Sequence, residues 1–170
     1  MTITLEQINA SQEIDEMIHR LMPAVIRGGL FLEFGIGCDE NRLSNIKKIR
    51  EEMTARGIES PIYGFDSFDE FATIEDGIIH VPGALLESFL DEHIQVASFI
   101  HIACDVYSST KYILDTLKNR ILPGTIIVFD EMINVEEQNE FKAFNEFLEE
   151  QGRRSQALCH GKYQVAFRIQ

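Results

Sequence analysis

Acidic residues follow several apolar segments of this chain, at the points where predicted strands end. FLEFGIG contains Glu33, IYGFDSF contains Asp66, HIACD ends in Asp105, and IIVFDE ends in Asp130 and Glu131. If these strands are parallel, their carboxyl ends meet at one edge of the sheet. Converging carboxylates repel one another and favour a hard cation such as Mg²⁺, which could acidify a bound hydroxyl. The alternative is that these acids only cap loops and helices.

The first of these segments closes in a glycine turn. Gly35 and Gly37 lie between a predicted strand and a predicted helix, where glycine lets the backbone approach a ligand closely. The pattern lacks the third glycine of the dinucleotide fingerprint, and Asp39 and Glu40 oppose a phosphate there. A ligand with an ammonium or sulfonium group would tolerate these two acids. A plain strand-to-helix turn is the alternative reading.

Asp66 ends the second predicted strand. In nucleotide-binding sheets an acid at this place accepts hydrogen bonds from both ribose hydroxyls, which fits NAD or an adenosyl group. The alternative is an exposed aspartate that caps a short helix.

His101 lies inside the fourth predicted strand and is a candidate to accept a proton from a hydroxyl. A histidine inside a strand is more often a core residue, and His80 and His160 are further candidates. The run Ser108–Thr110 predicts the cap of the following helix rather than a nucleophile.

The composition is typical of a globular protein and excludes several classes of function. A chain of 170 residues is long enough for one domain with a sizeable core. The formal net charge of −13 opposes binding to nucleic acid or to anionic lipid. The three cysteines form no zinc or disulfide pattern, and the polar N-terminal segment is no signal peptide. We therefore expect a cytoplasmic protein.

Hydrophobic periodicity predicts helices that alternate with apolar strands, with a loop or short helix over 69–79. The predicted strands are 29–37, 61–68, 78–83, 98–105 and 123–131, followed by a hairpin that turns near Gly161. The predicted helices are 11–27, 40–56, 84–94, 108–121 and 136–152, the last burying Phe141, Phe144, Phe147 and Leu148. This order predicts a single domain with an N-terminal helical segment (1–27) and an α/β core (28–170). The core is a doubly wound, mostly parallel sheet with a C-terminal antiparallel hairpin.

With these residues in view, the sequence resembles the class I S-adenosylmethionine-dependent methyltransferases, and among them the macrocin O-methyltransferase-like group. FLEFGIG, IYGFDSF, FIHIACDVYSST and GTIIVFDEMINVEEQNEFKAFNEF follow the order and approximate spacing of that group over residues 29–148. The resemblance implies a Rossmann-like, three-layer α/β/α fold. It also implies S-adenosylmethionine as cofactor and the hydroxyl of a small molecule as methyl acceptor.

The resemblance also implies roles for individual residues. The turn around the methionine part of the cofactor would contain Glu33, Phe34, Gly35 and Gly37. Asp66 would bind the ribose, with Ser67 and Phe68 beside the adenosine.

In metal-dependent members the fourth strand usually reads HIDCDLYSST, and its first aspartate binds the metal together with the acids of the fifth strand. Asp130 and Glu131 match this pattern here, but Ala103 occupies the position of the first aspartate. Strand alternation predicts that Asp105 points to the same side as Ala103, about 7 Å further along. Asp105, Asp130 and Glu131 are thus the candidate metal ligands, and Ala103 weakens the case for Mg²⁺. The candidate catalytic residues are Asp105, Asp130 and His101.

The leading hypothesis is therefore a small-molecule O-methyltransferase, in which a homodimer partner could act as a lid. Ala103 and the acidic glycine turn motivate an alternative, a catalytically impaired or non-enzymatic binding module that retains the fold. A flavodoxin-like carrier fits the length and acidity, but GIGCDEN is not a phosphate-binding loop rich in Ser and Thr.

Overall fold

Helices and strands alternate along the chain in the computed structural model, which describes residues 14–36, 40–66, 74–75, 77–133 and 138–170. Within these ranges the helices are α1 (Ile14–Leu21), α2 (Glu40–Ala55), α3 (Leu86–Glu92), α4 (Tyr107–Thr116) and α5 (Asn139–Glu150). The strands are β1 (Leu30–Phe34), β2 (Ile62–Asp66), β3 (Ile74–Glu75), β4 (Ile78–Pro82), β5 (Ala97–Ile102), β6 (Ile126–Phe129), β7 (Ser155–His160) and β8 (Val165–Ile169). None of the described helices is both long enough and apolar enough to cross a membrane.

The described strands form one sheet in the order β3-β4-β2-β1-β5-β6-β8-β7. Neighbouring strands from β4 to β6 pair in parallel, whereas β8 runs antiparallel to β6 and forms a hairpin with β7. The chain builds the sheet outward from β1 in one direction and then crosses to β5 to build it in the other. This reversal of strand order is the place where α/β sheets bind ligands. The predicted doubly wound, mostly parallel sheet with a terminal hairpin is confirmed.

Helices cover both faces of the sheet, because the central strands β1, β5 and β6 are buried along their whole length. One core packs α1 and α2 against the sheet and includes Met17, Ile18, Ile46, Ile49, Phe31, Phe99 and Ile126. The other packs α3, α4 and α5 against the opposite face and includes Phe89, Leu114, Phe144, Phe147, Leu32, Ile100 and Ile127. The three-layer arrangement is the one predicted. It leaves the carboxyl ends of the parallel strands at one edge of the sheet.

The fourth predicted strand is shorter than the sequence pattern indicated. β5 ends at Ile102, which is paired on both sides with the last residues of β1 and β6, and Asp105 adopts a left-handed conformation with φ of 51°. Because the chain has left the strand by then, alternation does not carry Asp105 to the side of Ala103. That prediction was wrong.

Two local predictions for the helices were also wrong. The N-cap of α4 is Val106, without a side-chain cap bond, so Ser108 and Ser109 lie inside the first turn, exposed to solvent. On α5, Phe141 is 36% exposed, and the buried face instead carries Glu140, Ala143, Phe144 and Phe147. A carboxylate therefore belongs to the buried stripe of this helix.

The difference between Phe141 and Phe144 provides a test of the packing. Phe144 is 1% exposed and its ring lies 4.9 Å from those of both Phe129 and Phe167. Phe144→Ala should lower the free energy of unfolding by about 3–5 kcal/mol, because it leaves a cavity between α5 and the sheet. Phe141→Ala should cost less than about 1 kcal/mol. Urea unfolding of both variants measures the difference, and equal losses would contradict this packing.

Candidate active site

Four polar side chains lie at the carboxyl edge of the parallel strands, on either side of the reversal in strand order. Glu33 is the second-to-last residue of β1, and Asp66 is the last of β2. His101 is the second-to-last residue of β5, and Asp130 directly follows β6. Glu33, Asp66 and Asp130 thus lie at strand ends as the sequence predicted, and His101, predicted inside its strand, lies one residue from the end of β5.

Glu33, His101 and Asp130 form a buried chain of charged side chains. Glu33 and His101 are paired in register on adjacent parallel strands, so their side chains share one face of the sheet. Nδ1 of His101 lies 2.8 Å from Oε2 of Glu33, and its Nε2 lies 3.5 Å from Oδ1 of Asp130. The side chains of His101 and Glu33 are 5% and 7% exposed, whereas that of Asp130 is 20% exposed. The chain thus runs from the buried end of β1 to the more accessible end of β6.

The imidazole at the centre of this chain carries a positive charge. Burial opposes protonation, but the charge and hydrogen bonds of Glu33 and Asp130 outweigh it and raise the pKa of His101 well above its ordinary value. Glu33 is hydrogen-bonded to the imidazole at 2.8 Å and Asp130 pairs with it by charge at 3.5 Å, and a buried cation is retained when it is paired in this way. His101 is therefore more than an ordinary core residue, because it holds two carboxylates of different strands together.

Gly35 allows the turn after β1 to pass close to the end of β5. It has φ of +80°, and a Cβ atom built on it would lie only 2.3 Å from the carbonyl oxygen of Ala103. The N–H of Ala103 donates to the oxygen of Phe34 at 3.0 Å, and the N–H of Gly35 donates to that of Phe65 at 3.0 Å. Backbone contacts thus fix the glycine turn against both neighbouring strands.

Three further carboxylates gather around Cys104, just beyond β5. Burial, together with the negative charges of Glu140, Asp66 and Asp105, raises the pKa of the Cys104 thiol to about 12. Cys104 is consequently an uncharged thiol and not a nucleophile. Asp66 and Asp105, from different segments, both lie within electrostatic range of Cys104.

The loops that follow β5 and β6 are tied to the first turn of α5. The side-chain amide of Asn139 donates from Nδ2 to the backbone oxygen of Asp105 at 3.1 Å. The backbone N–H of Glu131 donates to Oε2 of Glu140 at 2.9 Å. Asp105 and Glu131 are exposed, so their side chains form the rim of the site.

Sequence reasoning missed Glu140, which lies in the predicted helix 136–152 but was given no role. It is 1% exposed, and burial raises its pKa to about 7. The hydrogen bond from the Glu131 N–H and the positive charge of His101 lower this pKa, whereas the negative charges of Asp130 and Asp105 raise it. The available signal was spacing: Glu140 precedes Phe144 and Phe147 by four and seven residues, which places all three on one helical face.

Three other residues that the sequence suggested for the site have side chains that lie elsewhere. The side chain of Phe34 lies in the core, its ring stacked 4.9 Å from that of Phe65, so only its backbone borders the site. His80 lies on β4, two strands away from β1, and Nδ1 of His160 bonds the oxygen of Gly161 in the terminal hairpin. The remaining predicted cofactor residues, Gly37, Ser67 and Phe68, lie outside the described residues.

The predicted metal ligands do not form a metal site within the described ranges of the chain. No group of three or more His, Cys, Asp or Glu side chains there is arranged to hold a metal ion. Asp130 instead lies beside the imidazole of His101, and Asp105 follows the end of β5 in a left-handed turn. Ala103, 5% exposed, offers a methyl group where metal-dependent members are expected to have a carboxylate.

Several solved structures have this architecture. CalS11, a TDP-rhamnose 3′-O-methyltransferase of calicheamicin biosynthesis, matches with a TM-score of 0.66 at 20% identity over 91% of this chain and 77% of CalS11. The O-methyltransferase NovP matches with a TM-score of 0.64 at 13% identity over 91% of this chain and 78% of NovP. The chain shares the fold of these two O-methyltransferases.

A third match has bound ligands. MycE, a methyltransferase of mycinamycin biosynthesis in complex with Mg, SAH and mycinamycin VI, has a TM-score of 0.60 at 13% identity. The match covers 92% of this chain but 48% of MycE. No protein-family model matches the sequence, and no curated protein matches it. The likeness therefore lies in the fold, and function has to be argued from the site.

Because the backbone of Gly35 lies close to Ala103, a side chain at position 35 should lower the free energy of unfolding. Gly35→Ala combines a left-handed backbone with a clash against Ala103 and should lower the free energy of unfolding by about 2–4 kcal/mol. Gly152→Ala is the matched control, since Gly152 has φ of +59° but nothing within 4 Å of its Cβ position. It should lose only about 1–2 kcal/mol. Equal losses in urea unfolding would show that the contact with Ala103 is not tight.

The raised pKa of Glu140 predicts a dependence of stability on pH. Its pKa is about 7 in the folded chain against an ordinary 4.5, so the folded state holds the proton more tightly. The contribution of Glu140 to stability is therefore complete below the ordinary pKa and is lost as pH rises through the folded one. Glu140→Gln removes this titration while keeping an acceptor for the Glu131 N–H.

Relative to the wild type, Glu140→Gln should gain about 1–2 kcal/mol more at about pH 8 than at about pH 5. Urea unfolding at the two pH values measures this difference. The raised pKa of His101 changes wild-type stability in the same direction, so the comparison has to be made against the variant. Glu149→Gln, an exposed change of the same type on α5, should show no such gain. A pH-independent difference for Glu140→Gln would contradict the shift.

Proposed function

We propose that this chain is an S-adenosylmethionine-dependent methyltransferase that transfers a methyl group to a hydroxyl of a small molecule. The observation that carries the proposal is the buried chain Glu33–His101–Asp130, which joins the glycine turn to the acids after β6. The reversal of strand order between β1 and β5 is the kind of place where α/β sheets bind ligands. The glycine turn would hold the cofactor, and the acids would face the acceptor.

The residues around the glycine turn suit a cationic cofactor. Oε1 of Glu33 is buried and has no hydrogen-bond partner, so it can receive a donor such as the ammonium of a methionine group. Gly35 exposes backbone where a Cβ would obstruct approach, and Asp66 at the end of β2 suits the two ribose hydroxyls. Gly37, Ser67 and Phe68 remain predicted contacts. When bound, S-adenosylmethionine would supply a methyl group on a sulfonium, which is a good leaving group.

The acceptor side would need only alignment and removal of one proton. Asp130, 20% exposed in its side chain, is the carboxylate of the buried chain that an acceptor hydroxyl can reach. His101 would hold Asp130 in place and stabilise its negative charge, acting as a positioning residue through Nε2. Asp105, exposed at the end of the left-handed turn, would border the acceptor. The hydroxyl oxygen would then attack the methyl carbon as its proton passes to Asp130.

Mg²⁺ does not fit the described donor set, because Ala103 lacks a ligand atom and the remaining acids form no group of three metal donors. No step of the proposed reaction is therefore assigned to a metal. The cytoplasmic location and the homodimer stay predictions from the sequence.

Ala103 also supports a second candidate, a binding module that retains the fold without catalysis. If methyl transfer depended on a carboxylate at this position, the chain would bind the cofactor but not transfer its methyl group. Saturable cofactor binding without methyl transfer across a broad panel of acceptors would favour this candidate.

Calorimetric titration with S-adenosylhomocysteine tests the proposed cofactor. The wild type should bind it, and Asp66→Ala should raise the Kd by about tenfold to a hundredfold, because two hydrogen bonds to a charged group are lost. Asp91→Ala removes an exposed acid on α3 and should bind like the wild type, which controls for net charge. No heat of binding for the wild type at millimolar ligand would overturn the proposal.

A further inference from the structure

An apolar side chain anchors the glycine turn to the sheet. Ile36 directly follows Gly35 and is only 3% exposed. It belongs to the core that packs α1 and α2 against the sheet, together with Ile46, Ile49 and Ile78. The turn that would hold the cofactor is therefore continuous with a buried core, and its position depends on where the side chain of Ile36 lies.

Gly64 leaves a gap on β2 that Ile36 fills. Gly64 pairs in register with Glu33 on β1 and with His80 on β4, so the three positions share one face of the sheet. A Cβ atom built on Gly64 would lie 1.8 Å from Cδ1 and 3.2 Å from Cγ1 of Ile36. The side chain of Ile36 thus takes the place that a side chain of β2 would occupy, in the row of positions that includes Glu33.

Two adjacent residues of β2 hold two adjacent residues of the turn. Gly64 makes room for Ile36, and the backbone oxygen of Phe65 accepts the N–H of Gly35 at 3.0 Å. On its other side, Gly35 lies close to the carbonyl oxygen of Ala103. The turn therefore cannot shift along β2 or away from β5 without losing one of these contacts.

A side chain at position 64 would displace the turn through Ile36. The main obstacle is Cδ1 of Ile36, because its Cγ1 and the Cγ2 of Ile78 lie at 3.2 and 3.3 Å from the same Cβ position and need only small shifts. Protein cores are close-packed, so Ile36 cannot rotate away without displacing its neighbours. Its displacement would pass along the backbone to Gly35, the preceding residue. Removing Cδ1 alone should relieve most of the conflict.

We propose that Gly64 and Ile36 are positioning residues whose contact sets the place of the glycine turn, and with it the affinity for S-adenosylmethionine. This inference rests on the proposed function, which assigns the methionine part of the cofactor to that turn. Neither residue has to touch the cofactor. They hold the backbone of Gly35 and the end of β1 in place, and a displacement of about 1 Å in such a site is enough to weaken binding.

Adding one methyl group and then removing another tests this role. Gly64→Ala should raise the Kd for S-adenosylhomocysteine, measured by calorimetry, by about tenfold, because the turn is displaced. Adding Ile36→Val to Gly64→Ala removes Cδ1 and should bring the Kd back to within about threefold of the wild type. Ile36→Val alone should change the Kd by less than about threefold. A purely structural cost at position 64 would lower stability without this reversal in affinity.

Hydrogen exchange provides a readout that needs no cofactor. The N–H of Gly35 is bonded to the oxygen of Phe65, and the N–H of Leu30, at the other end of β1, is bonded to that of Val96. In Gly64→Ala the exchange rate of Gly35 relative to Leu30 should rise by about tenfold, because the turn opens locally. The double variant with Ile36→Val should restore the ratio. General loss of stability would speed both amides together.

Two further variants control the experiment. Ile62→Val removes a methyl group from the same strand and the same core, at a position that is 0% exposed. It should lower stability and leave both the Kd and the exchange ratio unchanged. Ile36→Ala serves if Gly64→Ala does not fold. It empties the gap at Gly64 and should raise the Kd and the exchange ratio by about fivefold.

Failure of the positioning role is distinguishable from failure of the proposed function. Binding of S-adenosylhomocysteine by the wild type that Gly64→Ala leaves intact overturns the positioning role and not the cofactor. So does a weakened affinity that Ile36→Val does not restore, or an equal rise of the Kd in Ile62→Val. If the wild type does not bind S-adenosylhomocysteine but the exchange ratio responds as expected, the cofactor is refuted, whereas the contact of Gly64 with Ile36 still holds the turn.

Discussion

The ionic chain of Glu33, His101 and Asp130 is the interaction on which the carboxyl edge of the sheet depends. Desolvation of the imidazolium is unfavourable, and the two flanking carboxylates offset it only if both are held close. The register of β1 against β5 supplies one of them, and the end of β6 supplies the other. The chain therefore couples the geometry of the glycine turn to that of the acids after β6.

The charge balance of this edge sets the chemistry that it can support. One buried cation lies among several carboxylates, in a protein whose net charge is −13. Such an edge favours cationic groups, including a sulfonium and an ammonium. Ala103 offers no ligand atom at this edge, and the buried carboxylate of Glu140 reaches the edge from α5.

The shared fold and the features of the site support different conclusions about function. The architecture is shared with O-methyltransferases at 13–20% identity, which is evidence for the fold and not for a particular acceptor. The buried ion pairs, the contact at Gly35 and the unpartnered oxygens belong to this chain itself. They are the features on which the proposed cofactor and the proposed methyl transfer depend.

The sequence by itself determined the layers, the parallel strands and the edge where Glu33, Asp66 and Asp130 lie. The apolar periodicity of the sequence and the acids after each strand are local signals. They can be read without knowing how distant segments pack. Only the tertiary structure decided that His101 bridges two carboxylates and that Asp105 lies beyond the end of β5. It also decided that Glu140, rather than Phe141, is buried. These outcomes depend on strand register, on where pairing ends and on which face of α5 meets the sheet, and those are relations between distant segments.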